Sequence, residues 1–206
     1  IVETICAPTN LEVMVTGIQE HAGSTPMDIR HDALVAAAHI IMAVEKLVKT
    51  NGGIHTVGTV GRVEVFPNAA NVIPGQVKFT IDIRDSVMTT KEIILSKILD
   101  LFKAVERERG VSIEYVIGNN DVPRDCDKDL NEVIRRVCDD MDIRYHTMVS
   151  GAYHDSIFVS EFTAATMIFV PSKGGISHHY LEWTDFEKIK LGTDILTESM
   201  LRLANQ

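Results

Sequence analysis

The segment Pro171-Ser-Lys-Gly-Gly-Ile-Ser-His-His179, with Glu182 three residues further on, gathers two imidazoles and a carboxylate behind an apolar run. Ligands of open α/β sheets bind at the carboxyl ends of strands. A neutral imidazole at such an end can ligate a metal ion, and a neighbouring carboxylate can orient it. The same pattern also describes ordinary surface-loop histidines, and one histidine does not make a metal site.

Four further points carry polar chemistry. In Ser150-Gly-Ala-Tyr-His-Asp155 the amides of Gly151 and Ala152 could receive a carboxylate. His154-Asp155 there opens a helix whose dipole favours anions, or simply starts that helix. In His21-Ala-Gly-Ser-Thr-Pro26 a histidine between strand and helix could hydrogen-bond a developing oxyanion, or be a turn histidine. Asn71 is the best hydrogen-bonding side chain of the loop Pro67 to Gly75, where asparagine also serves turn geometry. Arg84 can grip a carboxylate with both prongs of its guanidinium, or pair with Asp82 or Asp85. Together they describe a cleft between two parts of the chain, suited to an anionic amide substrate. A water activator and a general base are what hydrolysis would still need. No His-x-Asp, Glu-Glu or His-Glu-x-x-His pattern occurs, and Ser150 is not in a Gly-x-Ser-x-Gly elbow.

The elements that must hold these residues follow from periodicity. Leu11, Val13 and Val15 alternate as a half-buried strand. Thr25-Pro26 predicts a helix start. Leu34, Ala37, Ile41, Val44 and Val48 form a helical stripe ended by Gly52-Gly53. Strands are predicted over Thr56 to Phe66 and around Val77, Phe79, Ile81 and Ile83. Thr89-x-x-Glu92 predicts a capping box for a helix carrying Ile94, Ile98, Leu101 and Val105, closed by Gly110. A strand from Val111 to Ile117 completes a βαββαβ order, the ferredoxin-like arrangement. Beyond Gly118 the pattern becomes α/β. A helix carries Leu130, Val133, Val137 and Met141. A short strand lies near Thr147 to Val149. The apolar run Ala164 to Val170 predicts a strand covered on both faces. A last helix carries Phe186, Ile189, Leu196, Met200 and Leu203. The expected division is 1–8 as the end of a catalytic-domain strand, 9–118 as a lid or dimerisation domain, and 119–206 as part of an α/β catalytic domain. The second part is short for a doubly wound sheet, and the chain opens at Ile1 in strand-like sequence. Both lead us to expect a piece of a longer protein.

A net charge of −9 argues against nucleic acid as the main partner, and no basic cluster suggests a membrane surface. Cys6, Cys126 and Cys138 are odd in number and far apart, so neither a disulfide framework nor a zinc finger is supported, and a cytoplasmic setting is the default.

The motifs, in order, resemble one family. They are His21-Ala-Gly-Ser-Thr-Pro-Met27, Phe66-Pro-Asn-Ala-Ala-Asn-Val-Ile-Pro-Gly75, Asp82-Ile-Arg84, Ser150-Gly-Ala-Tyr-His-Asp155, Ile168-Phe-Val-Pro-Ser172 and Gly175-Ile-Ser-His178. They resemble the hydantoinase/carbamoylase amidases, within the dinuclear-zinc aminopeptidase and carboxypeptidase superfamily. The resemblance implies two divalent metal ions, zinc or manganese, in the intact enzyme, with His178 as the last ligand. It implies that His21 stabilises the tetrahedral intermediate, in the active site of a partner subunit of a homodimer built through the lid. Asn71, Arg84 and the amides near Gly151 would hold the carboxylate of a small ureido or carbamoyl substrate, and His154 would line the site. The family's other metal ligands and its general base have no counterpart here, so this chain alone is expected to be inactive. Tyr153 stands where relatives often have glycine, which bears on pocket shape. A non-catalytic dimerisation module, or a dipeptidase or aminoacylase of the same superfamily, are the competing expectations.

Overall fold

The computed structural model describes residues 1–205. In chain order the elements are β1 (Val2–Ile5), β2 (Ala7–Thr16), β3 (Glu20–His21), a 3-10 turn (Met27–Ile29), α1 (Ala33–Asn51), β4 (Val57–Thr59), β5 (Val63–Phe66), β6 (Val72–Ile73), β7 (Gln76–Asp85), α2 (Met88–Arg109) and β8 (Ser112–Asn120). Then come β9 (Arg124–Asp125), α3 (Lys128–Asp140), β10 (Met148–Ser150), α4 (Ser156–Val159), a second 3-10 turn (Lys173–Gly175) and α5 (Phe186–Ala204). They form two compact units. The central unit is Cys6–Pro123; the flanking unit joins Ile1–Ile5 to the chain from Arg124 onward.

In the central unit the antiparallel sheet runs β4-β7-β2-β8, with β5 also paired to β7. This is the ferredoxin-like order that the sequence predicts. Alternation does the positioning. Val77, Phe79, Ile81 and Ile83 of β7, and Leu11, Val13 and Val15 of β2, are almost wholly buried. They pack under Ala36, Ala37, Ile40 and Val44 of α1 and Ile94, Ile98, Phe102 and Val105 of α2. The expected strand over Thr56 to Phe66 is broken into β4 and β5.

Helix boundaries differ from expectation because residues other than Thr25 and Thr89 stand at the helix starts. Thr25 caps no long helix; its hydroxyl donates to the His21 carbonyl at 3.0 Å. Helix α1 starts at Ala33, capped by Asp32, whose carboxylate accepts from Leu34 and Val35 at 2.9 and 3.1 Å. Thr89 lies inside α2, which begins at Met88 behind Val87. The buried Asp85 carboxylate accepts from the Val87 amide at 2.9 Å and from the Thr56 hydroxyl, so it anchors that end. Gly110 closes α2 with φ of 63°. A Cβ there would also fall 2.4 Å from His31 Nδ1, so any other residue would be strained and press on that ring.

In the flanking unit the sheet is β10-β1-β9, with β1 parallel to β10 and antiparallel to β9. Helices α3 and α5 pack through Ile134, Val137, Cys138 and Ile195 onto Ile1, with Ile168 against them. Residues 164–170 form no strand. Val2 donates to the Met167 carbonyl at 3.1 Å, but Phe169 and Val170 are each 38% exposed. The run is therefore covered on one face, not both. The apolar stripe expected to bury α5 also faces outward: Phe186, Ile189, Leu196 and Met200 are exposed, while Ile195 and Ser199 are buried.

Candidate functional site

In the central unit, β3 and β6 form a two-residue ladder that pairs His21 with Val72 and Glu20 with Ile73. The Ala22 amide donates to the Asn71 carbonyl at 3.0 Å, so His21 and Asn71 become neighbours fifty positions apart in sequence. The Gly23 amide donates to His21 Nδ1 at 3.0 Å. That bond makes Nδ1 the acceptor, so a neutral ring carries its proton on Nε2. The imidazole is thereby prepared as a donor through Nε2. Arg30, which no motif singled out, binds the loop from behind: it donates to the Ala22 carbonyl at 2.7 Å and to the Thr25 carbonyl at 3.0 and 2.8 Å. The turn role open to asparagine falls to Asn68, at φ of 58°. Asn71 itself is exposed.

Arg84 stands near the far end of β7, opposite Pro8 on β2 and Val57 on β4. Its Nε and Nη2 donate to the two carboxylate oxygens of Asp82 at 2.9 and 2.8 Å. The ion pair lies within one strand and is half-buried. The hydrogen bonds to Asp82 raise the guanidinium pKa further. Side-on pairing of this kind uses one edge of the guanidinium and leaves its Nη1–Nη2 edge for a second carboxylate. Asn71 precedes the start of β7 at Gln76, and Arg84 lies eight residues after it. At about 3.3 Å per residue, roughly 26 Å of strand separate the two ends. One chain therefore does not bring Arg84 to the His21–Asn71 pair.

In the flanking unit, Ser150 at the end of β10 is buried and donates to the Ala152 carbonyl at 2.9 Å. Gly151 is exposed, and a Cβ on it would meet nothing within 4 Å. Helix α4 is a single turn beginning at Ser156, with no side-chain cap from Asp155, so it lends little dipole to an anion. The His154 ring packs against Phe169 with centroids 5.5 Å apart, and its Nε2 is buried without a protein partner. A cavity of about 820 Å³ within this unit is lined by His154, Ile168, Phe169, Ile176, Ser177 and Glu182.

His178 lies in the loop after the Lys173–Gly175 turn, at φ of 56°. The carboxylate of Glu182 accepts from the His178 backbone amide at 2.9 Å. It therefore fixes the loop rather than orienting the imidazole, the role the sequence suggested. The neighbouring His179 Nδ1 accepts from the Leu181 amide at 3.2 Å, and its ring lies 4.3 Å from Tyr180. The His178 ring is exposed. Among the described residues no three His, Cys, Asp or Glu side chains converge into a group able to hold a metal ion.

The fold is that of a mixed α/β chain with a ferredoxin-like unit, Cys6–Pro123, inserted after its first strand. The profile of Peptidase family M20/M25/M40 matches residues 1–202, and the chain belongs to that family. An N-carbamoyl-L-amino-acid amidohydrolase of Pseudomonas sp. (strain NS671) is 40% identical over 98% of this chain and 49% of its own length. The crystal structure of AtUAH in complex with glyoxylate matches with a TM-score of 0.94 and 34% identity, over 100% of this chain and 49% of that one. A hydantoinase/carbamoylase family amidase from Burkholderia vietnamiensis matches with a TM-score of 0.92 and 29% identity, over 98% and 48%. The chain thus spans about half the length of these relatives.

Proposed function

We propose that this chain is the C-terminal half of a cytoplasmic amidohydrolase that cleaves a carbamoyl or ureido C–N bond beside a carboxylate. The observation that carries the reading is His21. Its Nδ1 is committed to the Gly23 amide, so Nε2–H is available as a donor on the segment whose Ala22 amide bonds the Asn71 carbonyl. A donor so fixed suits the negative charge that develops on a carbonyl oxygen under attack. In the central unit we assign carboxylate binding to Asn71 and to the outer edge of Arg84; in the flanking unit the backbone at Gly151 and the His154 ring are assigned to substrate binding. The similarity to an N-carbamoyl-L-amino-acid amidohydrolase supports this substrate class. The separation of Arg84 from His21 along β7 favours a homodimer through the central unit, in which the two ends of one sheet serve different sites.

For the complete enzyme this reading includes two divalent metal ions, zinc or manganese, and assigns His178 as one ligand. The described residues of this chain do not assemble such a site. The chemistry ascribed to them is accordingly binding, orientation and charge stabilisation. A second reading takes the isolated chain as a dimerising module without activity. Metal analysis and assay of the purified chain beside the complete enzyme decide between them. Two tightly bound metal ions per chain, or turnover of an N-carbamoyl amino acid by the chain alone, would overturn the module reading. A complete enzyme that hydrolyses dipeptides or acyl amino acids but no carbamoyl or ureido substrate would overturn the first.

A further inference from the structure

Arg30 stands just before the Asp32 cap of α1, on a fixed base. The Ile18 amide donates to the His31 carbonyl at 2.9 Å, and the Ala33 amide donates to the Pro74 carbonyl at 3.2 Å. From that base the side chain reaches back to the loop that carries His21. Nη2 donates to the Ala22 carbonyl at 2.7 Å, while Nη2 and Nε donate to the Thr25 carbonyl at 2.8 and 3.0 Å. The Ala22 oxygen and the Gly23 N–H belong to one peptide unit, which is trans and planar. Its two polar groups therefore point in opposite directions. Arg30 grips the oxygen, and the N–H donates to His21 Nδ1 at 3.0 Å. Guanidinium, peptide and imidazole are thus joined in series by two hydrogen bonds through one rigid plate. Such bonds polarise one another, so a cation on the oxygen strengthens the N–H as a donor.

We propose that Arg30 is a positioning residue for His21, holding the Ala22–Gly23 peptide so that Nδ1 stays an acceptor and the ring proton stays on Nε2. A flip of that peptide would turn its oxygen toward Nδ1. The ring would then carry its proton on Nδ1, and Nε2 would cease to be a donor. The other bonds of the loop do not hold this peptide. The His21 carbonyl accepts from the Ser24 and Thr25 amides at 3.3 and 3.2 Å and from the Thr25 hydroxyl at 3.0 Å, which closes the turn around it. The bond from the Ala22 amide to Asn71 fixes the preceding peptide. A planar fork can hold the Ala22 and Thr25 oxygens at a set spacing, which the point charge of a lysine cannot. The effect on turnover rests on the oxyanion reading of His21, whereas the effect on the ring proton does not.

Nitrogen NMR shifts of the neutral His21 ring, measured in the 206-residue chain, report which nitrogen carries the proton. The wild type is expected to show a bare Nδ1 and a protonated Nε2. In Arg30→Met the two shifts are expected to converge toward the tautomer mixture of free histidine. Val44→Ala, at a buried position of α1, is expected to lower stability and leave the shifts unchanged. Unaltered shifts in Arg30→Met, or an equal change in Val44→Ala, overturn the proposal. In the complete enzyme Arg30→Met is expected to lower kcat by about 10- to 100-fold, as misplacing a reacting group does, with KM nearly kept. It is expected to cost nothing further once His21 is replaced by Ala, and an equal loss in both backgrounds overturns the proposal. If His21→Ala alone leaves kcat unchanged, the oxyanion reading falls and the ring shifts by themselves decide the positioning role. The unsubstituted chain gives a check that stands even if Arg30→Met does not fold. Its Arg30 guanidinium protons are expected to exchange slowly, and exchange as fast as in the exposed Arg107 overturns the proposal.

Discussion

Arg84 meets both carboxylate oxygens of Asp82, two residues earlier on the same strand, at 2.9 and 2.8 Å. The fork is thus oriented before any ligand arrives. Arg84→Ala in the complete enzyme is expected to raise KM by about 10- to 100-fold with kcat little changed, because hydrogen bonds to charged groups contribute about 1.5–3 kcal/mol. Steady-state kinetics with an N-carbamoyl amino acid measure it. A wild-type KM would remove Arg84 from substrate binding.

His21 is expected to act on a different parameter. His21→Ala should lower kcat by roughly 10²- to 10³-fold, the usual cost of losing one oxyanion donor, with KM nearly kept. A fall in affinity with unchanged kcat would place the imidazole on the substrate carboxylate instead. Mixing His21→Ala with Arg84→Ala subunits tests the dimer, since shared sites would regain part of the activity.

Burial lowers the pKa of Lys91 below its ordinary value of 10.5. The sign follows from proton counts. The unfolded lysine keeps its proton up to 10.5, whereas the folded one releases it earlier. Between those two values the unfolded state binds more protons, so this group makes stability rise with pH. Below the window its unfavourable contribution is constant. Denaturant midpoints of the wild type are therefore expected to gain on those of Lys91→Met as pH climbs toward 10.5. Parallel midpoints across that range would contradict it.

Gly110→Ala is expected to destabilise the central unit by about 1–3 kcal/mol for left-handed strain alone. The added Cβ would also meet the His31 ring. His31→Ala should relieve the second part and not the first, so the double variant is expected to be less unstable than the sum of the singles. Chemical denaturation of the four proteins measures the coupling.

The sheet of the central unit was legible because β7 alternates between polar and apolar residues from Gln76 to Arg84 and β2 sets Leu11, Val13 and Val15 on one face. The helices were legible as helices but less so in their faces. On α1 the sequence favours Leu34 and Ile41, yet Ala36 and Ile40 are buried while Leu34 is exposed. Small residues carry little hydrophobic signal and still admit the closest approach to a sheet. Lys91 was hidden for the opposite reason, since a lysine in an apolar stripe reads as its solvated edge. The motifs located His21 and Asn71, but not that their segments meet, which rests on a ladder of two residues per strand, too short for any periodicity. Glu182 was legible as a neighbour of His178. That it takes the amide rather than the ring depends on a positive φ that no residue type announces.

Helix α5 turns Phe186, Ile189, Leu196, Met200 and Leu203 outward along its nineteen residues. Periodicity alone shows that a face exists, not that anything lies against it. The stripe governs how the isolated chain behaves outside the test tube as well as in it. Contiguous apolar surface of this kind is what holdase chaperones and quality-control proteases sample. Produced alone, the chain is expected to be a chaperone client with a short lifetime, and to bind hydrophobic dyes while fully folded. Its abundance in a cell would then depend on how quickly that helix is covered rather than on the free energy of folding.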